Sequence, residues 1–140
     1  MENVVISKEY VDKIKRFAAI RPEETFHYVP KVYRELPKEL KPVFILRPIA
    51  GEDALRFSDL MRGDVTVSDG VAQVKIKRGE YVISVVHSGL VGWNNYYDVN
   101  GNDIPYKSNI SCLPMALLEE LCDVITERAS LTYEEVLGLK

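Results

Sequence analysis

Few residues of this chain could do chemistry. His27 and His87 are the only histidines, and Cys112 and Cys122 the only cysteines. A structural zinc site needs four Cys, His or acidic ligands, mostly at close spacing, and the two thiols lie ten positions apart with no histidine between them. Buried, reduced thiols are the expectation for both. The carboxylates fall in adjacent pairs: Glu52 with Asp53, Glu119 with Glu120, Glu134 with Glu135. Neighbours on a helix point about 100° apart, so such a pair cannot share a proton across a substrate. Either histidine could act as a base, yet neither lies in a nucleophile motif. "GLVGW" (89–93) lacks the lysine and the spacing of a phosphate-binding loop. No catalytic residue, cofactor or metal is assigned, and the chain is read as a non-enzyme.

The densest stretch is "GWNNYYDVNGNDIPY" (92–106). Asp98, Asn100 and Asn102 alternate like the first ligands of a calcium loop, but Asp103 stands where such a loop needs glycine and Asn109 where it needs a bidentate Glu. A two-residue type I′ turn at Asn100-Gly101 is the better reading, with "NYYDV" and "DIPY" as short arms and Pro105 at an edge. Trp93, Tyr96 and Tyr97 would then pack the hairpin onto neighbouring helices with their polar tips wet. A ligand cage would also need convergent polar groups, and the sequence names none.

The elements that would position these residues follow from periodicity. Tyr10, Ile14, Phe17 and Ala18 recur at helical spacing through 8–20, with Ser7 as N-cap and Arg21-Pro22 as the stop. "TFHYV" (25–29) predicts a short strand, and Pro30, Pro37 and Pro42 an extended, semi-rigid arm over 30–42. "PVFILRP" (42–48) predicts a buried strand. A short helix over 51–61 has Glu52 and Asp53 in its first turn and Leu55, Leu60 and Met61 as apolar contacts. Two templates compete over 64–90: a hairpin turning at Asp69-Gly70, or a helix over 72–88 with Val71, Val74, Val82, Val85 and Val86 on one face. The helix is preferred, above all over 79–88, with Gly89 closing it. In the closing pair over 114–139, Leu117, Leu118, Leu121, Val124 and Ile125 stripe the first helix. Thr132 and Glu135 form a capping box for the second.

The predicted class is α+β: a single small domain over 1–140, mostly helical with a short antiparallel hairpin or sheet. A net charge of −3, with Lys and Arg interleaved with acids, gives no electrostatic reason to bind nucleic acid. No apolar run approaches the roughly 20 residues of a membrane span, and "MENVVISKEY" is not built as a secretory signal. The expectation is a cytoplasmic protein.

Three blocks carry a family resemblance: "HYVPK" with "PVFILRPI", then "GLVGWNNYYDVNGNDIPY", then "LPMALLEELCDVITERASLTYEEVLGL". Their order resembles the small tail assembly chaperones of long-tailed bacteriophages and prophages, chiefly over residues 89–139. In that family a Gly-Trp element, a D-x-x-G turn, a Leu-rich helix and a closing Glu-Glu helix follow one another. The resemblance implies a morphogenesis factor of the host cytoplasm that coats a long helical tape-measure protein, or binds other tail proteins, by protein–protein contact. A homo-oligomer is compatible with it. Two other classes compete: a structural virion component (a tail or head–tail connector subunit), and a small-molecule or metal-binding enzyme. The terminal helix has little chain after it to cover its outer side, so Tyr133, Val136 and Leu137 are the candidate partner-binding residues.

Overall fold

"PVFILRP" folds as the central strand of a sheet, as its β-branched and aromatic residues predict. The computed structural model describes residues 7–14, 17, 19–21, 23–107 and 110–128. Within it, β2 (Val43–Leu46) lies between β1 (Phe26–Tyr28) and β5 (Leu90–Asn94), antiparallel to both. Alternation along β2 sends Phe44 and Leu46 fully inside, while Val43 and Ile45 are half-buried. Phe44 stands opposite Trp93, and the register shifts between Ile45 and Leu46, where Leu46 meets Leu90. The Arg47 N–H donating to the Gly89 carbonyl at 2.8 Å carries the pairing past the shift.

Three helices supply the rest of the core: α2 (Gly51–Arg62), α3 (Arg78–Gly89) and α4 (Met115–Arg128). Helix α3 packs against both of the others. It buries Tyr81, Val82, Val85 and Val86, and α4 buries Leu117, Leu121, Cys122 and Ile125. Each set recurs at three- and four-residue spacing, the signature of one buried helix face. These side chains join Phe44, Leu46, Ile49 and Trp93 in a single apolar cluster.

Several expectations need correction. The domain is α+β but not mostly helical: among the described residues five strands form two antiparallel sheets beside four α-helices. The second sheet is the reason. Residues 64–75 form a two-stranded ribbon, β3 (Asp64–Ser68) and β4 (Val71–Lys75), and α3 starts only at Arg78. Val71 and Val74 meet the spacing of α3's buried valines, but Asp69 (φ +52°) and Gly70 (φ +79°) hold the two positive φ values of a tight hairpin turn. That local geometry outcompetes helix propagation.

The turn at Asn100-Gly101 is not type I′, because only Gly101 (φ +82°) is left-handed. The arms of that hairpin shrink to one bridge, Tyr97 with Asp103. Leu60 and Met61 pack on the core as expected, but Leu55 is exposed and Phe57 takes the third place on that face. The first helix is described as α1 (Lys8–Ile14), with Tyr10 and Phe17 in solvent. Cys112 is exposed; Cys122 is buried, and burial pushes its thiol up to about 12. No helix among the described residues is long and apolar enough to cross a membrane.

Candidate interaction surfaces

The aromatic stretch is core. Trp93 is 6% exposed and meets Phe44, Tyr96 and Tyr106 with ring centroids 5.8, 5.3 and 4.9 Å apart, tilted or edge to face. Its indole N–H donates to the Ile104 carbonyl at 2.6 Å, which ties β5 to the far arm of the turn. The Tyr106 hydroxyl donates to the Leu90 carbonyl at 3.3 Å. Burial raises the Tyr96 hydroxyl above its ordinary value. The rings fill one another's space and leave no cage.

The same loop shows what its acidic residue does. The Asp98 carboxylate accepts from the backbone N–H groups of Asn100 and Asn102, both at 2.9 Å. The bond from the Asn102 backbone, with help from the Asn100 backbone, holds its pKa below the ordinary aspartate value against the opposing effect of desolvation. It organises a turn. Among the described residues no group of three His, Cys, Asp or Glu side chains could hold a metal ion.

Other titratable groups do not converge. His27 and His87 are exposed on β1 and α3. Glu119 accepts from Arg78 at 2.7 Å, while Glu120 accepts from the Tyr28 hydroxyl at 2.6 Å and the Lys31 backbone N–H at 3.0 Å. The two adjacent carboxylates thus serve different neighbours. Arg47, His87, Leu90, Val91, Tyr106 and Ile110 line an open cleft of about 300 Å³. Its Arg47 Nε–H and Tyr106 hydroxyl are already given to the carbonyls of Ser88 and Leu90.

Two apolar surfaces remain. The first is the proline arm. Residues 31–33 and 38–40 form single 3₁₀ turns, each entered from a proline in extended conformation. Pro30 and Pro42, at its ends, are fully buried. Glu120 of α4 pins the start through Tyr28 and Lys31, and the Arg34 guanidinium stacks over the Tyr28 ring at 5.6 Å while its Nε–H donates to the Val29 carbonyl. Desolvation, then the bond to Glu120, pushes the Tyr28 hydroxyl up to about 12. The arm is fixed, yet Val32, Leu36 and Leu40 are exposed.

The second surface is the β3–β4 ribbon, all ten of whose strand residues are exposed. Val65 pairs with Val74 and Val67 with Ala72, so strand alternation puts these four on one face, with Ile76 following on the same side. Asp64, Thr66, Ser68, Val71, Gln73 and Lys75 take the other. The ribbon's root is held where the Lys77 N–H donates to the Leu60 carbonyl at 2.9 Å and the Lys77 ammonium meets Asp64 at 3.3 Å. Sequence reading weighed this hairpin and preferred a helix, and so missed Val65, Val67, Val74 and Ile76 as a surface. The signal was their alternation about Asp69-Gly70. The candidates Tyr133, Val136 and Leu137, and with them the second helix of the closing pair, lie outside the described residues.

Comparison with known proteins adds no relative. No protein-family model matches the chain, and no match is found among curated proteins or solved structures.

Proposed function

We propose that this protein is a binding factor rather than a catalyst, of the tail assembly chaperone kind, which holds an amphipathic helix of a phage tape-measure protein during tail morphogenesis. One observation carries the reading: the 30–42 arm is pinned at its start and buried at its two end prolines, Pro30 and Pro42, while Val32, at 80% exposure, and Leu40 face outward. A surface held in place before its partner arrives loses less conformational freedom on binding. A helix laid in such a place offers apolar anchors at i, i+3, i+4 and i+7. Lys31, Arg34, Lys38 and Lys41 outnumber Glu35 and Glu39 along the arm, which favours a helix with acidic flanks.

The test is co-expression with a long, helix-rich tape-measure protein. A chaperone co-purifies with that protein and is absent from finished particles. Val32→Asp with Leu40→Asp should abolish capture without unfolding the domain. Retention of the protein in purified particles would instead make it a virion component. Deleting residues 130–140 tests Tyr133, Val136 and Leu137 as a further part of the same surface.

A further inference from the structure

We propose that Asn100 is a self-modification site: the Gly101 backbone nitrogen displaces its side-chain amide, and Asp98 sets the pace of the reaction. The loop tip carries the pair that this chemistry needs, since Asn100 alone among the asparagines precedes a glycine. The attacking nitrogen belongs to the following residue. A side chain on that residue crowds the five-membered ring that must close, and glycine has none. The space around Gly101 is open, because a Cβ built there meets nothing within 4 Å. Asn100 is exposed beside a Val99 that stands wholly in solvent, so water reaches the amide. Its side chain has no hydrogen-bond partner among the described residues. By contrast, the side-chain amide of Asn95 donates to the Lys41 carbonyl and that of Asn102 to the Asp98 carboxylate.

The steps balance with water as the one reagent. Hydroxide removes the Gly101 N–H proton and the nitrogen attacks Cγ of Asn100. The Cγ–Nδ2 bond then breaks, and the leaving nitrogen departs as ammonia with a proton from water. Water opens the cyclic imide at one of its two carbonyls. Opening at Cγ leaves aspartate on an unchanged main chain, whereas opening at the main-chain carbonyl leaves isoaspartate, with one more carbon in the backbone. Asp98 opposes the first step in two ways. Its carbonyl accepts the Gly101 N–H at 3.0 Å and its carboxylate accepts the Asn100 N–H at 2.9 Å, so the nitrogen is held in the turn. Its negative charge also disfavours an amide anion beside it. The product acts back on the loop. A new carboxylate stands between Asp98 and Asp103, and isoaspartate lengthens a segment closed by the Tyr97–Asp103 bridge. Trp93, Tyr96 and Tyr106 lie outside 97–103 and keep their places in the core cluster.

The test is to hold the full chain in mildly alkaline buffer for days, measure ammonia, and map peptides so that Asn, Asp and isoaspartate forms separate. Wild type should convert at Asn100, with isoaspartate in excess, while Asn95 and Asn102 stay intact. Asp98→Ala, with native Trp93 emission as the check on folding, should react about 3- to 10-fold faster, the worth of one or two turn hydrogen bonds. Gly101→Val should lose the reaction, and Asn100→Gln, which would need a larger ring, should lose it too. A synthetic peptide of residues 96–106 should react faster than the folded chain. A wild-type chain still intact at Asn100 when that peptide has fully converted would overturn the proposal. So would Asp98→Ala reacting no faster than wild type, or Gly101→Val reacting as fast.

Discussion

The 64–75 ribbon and the 94–106 loop both reverse the chain around a glycine of nearly equal φ, Gly70 at +79° and Gly101 at +82°. Their relation to the body is opposite. The ribbon has a full ladder of five residue pairs and buries none of its strand residues. The loop has one bridge, yet Trp93 just before it, Tyr96 on its first arm and Tyr106 at its end reach the core cluster. Ladder hydrogen bonds join two strands to each other, and each replaces bonds to water for a modest net gain. They do nothing to dock a hairpin on a domain. Docking comes from apolar area, which large rings deliver across a gap that valine and alanine cannot span.

The largest effect that follows is at Trp93. Trp93→Ala should cost about 3–5 kcal/mol in denaturant unfolding, since it empties a site shared by Phe44, Tyr96 and Tyr106 and leaves the Ile104 carbonyl without its donor. Native emission from Trp93 should be that of a buried indole. Val67→Ala should change stability by no more than about 0.5 kcal/mol, as at other exposed positions. A cost at Val67 comparable to that at Trp93 would mean that the ribbon packs on its own body, and the contrast would fail.

Gly63, at the ribbon's root, comes next. Its φ is +77° with ψ 176°, and a Cβ there would lie 2.3 Å from the Lys75 carbonyl oxygen. Neither the backbone region nor the space admits a side chain, and a conformation of this kind costs roughly 1–3 kcal/mol for a non-glycine residue. Gly63→Ala should therefore loosen the ribbon while the three-helix core persists. Hydrogen exchange should rise across 64–75 and stay unchanged in α3 and α4. Equal deprotection of α4 would show that ribbon and core unfold as one unit.

Much of the docked region was legible in the sequence, and little of the ribbon. "PVFIL" between prolines and the Leu117, Leu121, Ile125 stripe each fit one periodicity only, so strand β2 and helix α4 follow. Trp93 was readable as core because no polar partners for a cage accompany it. The ribbon was harder because its valines satisfy two periods at once: Val71, Val74, Val82, Val85 and Val86 make a helical face, while Val65, Val67, Ala72 and Val74 alternate. Only the two positive φ values at Asp69-Gly70 decide between them, and an Asp-Gly pair can also end a helix or start one. At 98–101 the residue types pointed to the turn but not its form. Both Asn-Gly and a preceding Asp invite one, and the Asp98 carboxylate settled it by accepting N–H groups that a type I′ turn would not present. The pinning of the proline arm by Glu120 was not readable, since it joins residues 89 and 92 positions apart.

Gly101→Val sharpens the comparison from the docked side. Its φ is +82°, but a Cβ there meets nothing within 4 Å, so the cost is conformational alone, about 1 kcal/mol. That is smaller than at Gly63, where the backbone is also in the way. Calcium in millimolar excess should leave Tm unchanged for wild type and variant alike. A calcium-dependent rise of several degrees would return residues 98–109 to the class of cation loops.

The smallest effect concerns the charge of Asp98. Its carboxylate accepts N–H groups from Asn102 and Asn100 that only the folded turn aligns, so its pKa lies lower in the native state than in the unfolded chain. For such a group the unfolded chain takes up the proton first as pH rises are reversed. The stabilisation is fully present above the unfolded aspartate value and is lost as pH falls through the native one. Solvent reaches this side chain freely, so the contribution is small beside that of the rings. A carboxyl titration followed by NMR should place Asp98 below the ordinary aspartate value. Asp98→Ala should lower stability near neutral pH, and its difference from wild type should close at acidic pH once the wild-type carboxyl is protonated. A native Asp98 that titrates at the ordinary aspartate value would mean that the turn is held by its backbone alone, and the loop would then owe its place wholly to Trp93, Tyr96 and Tyr106.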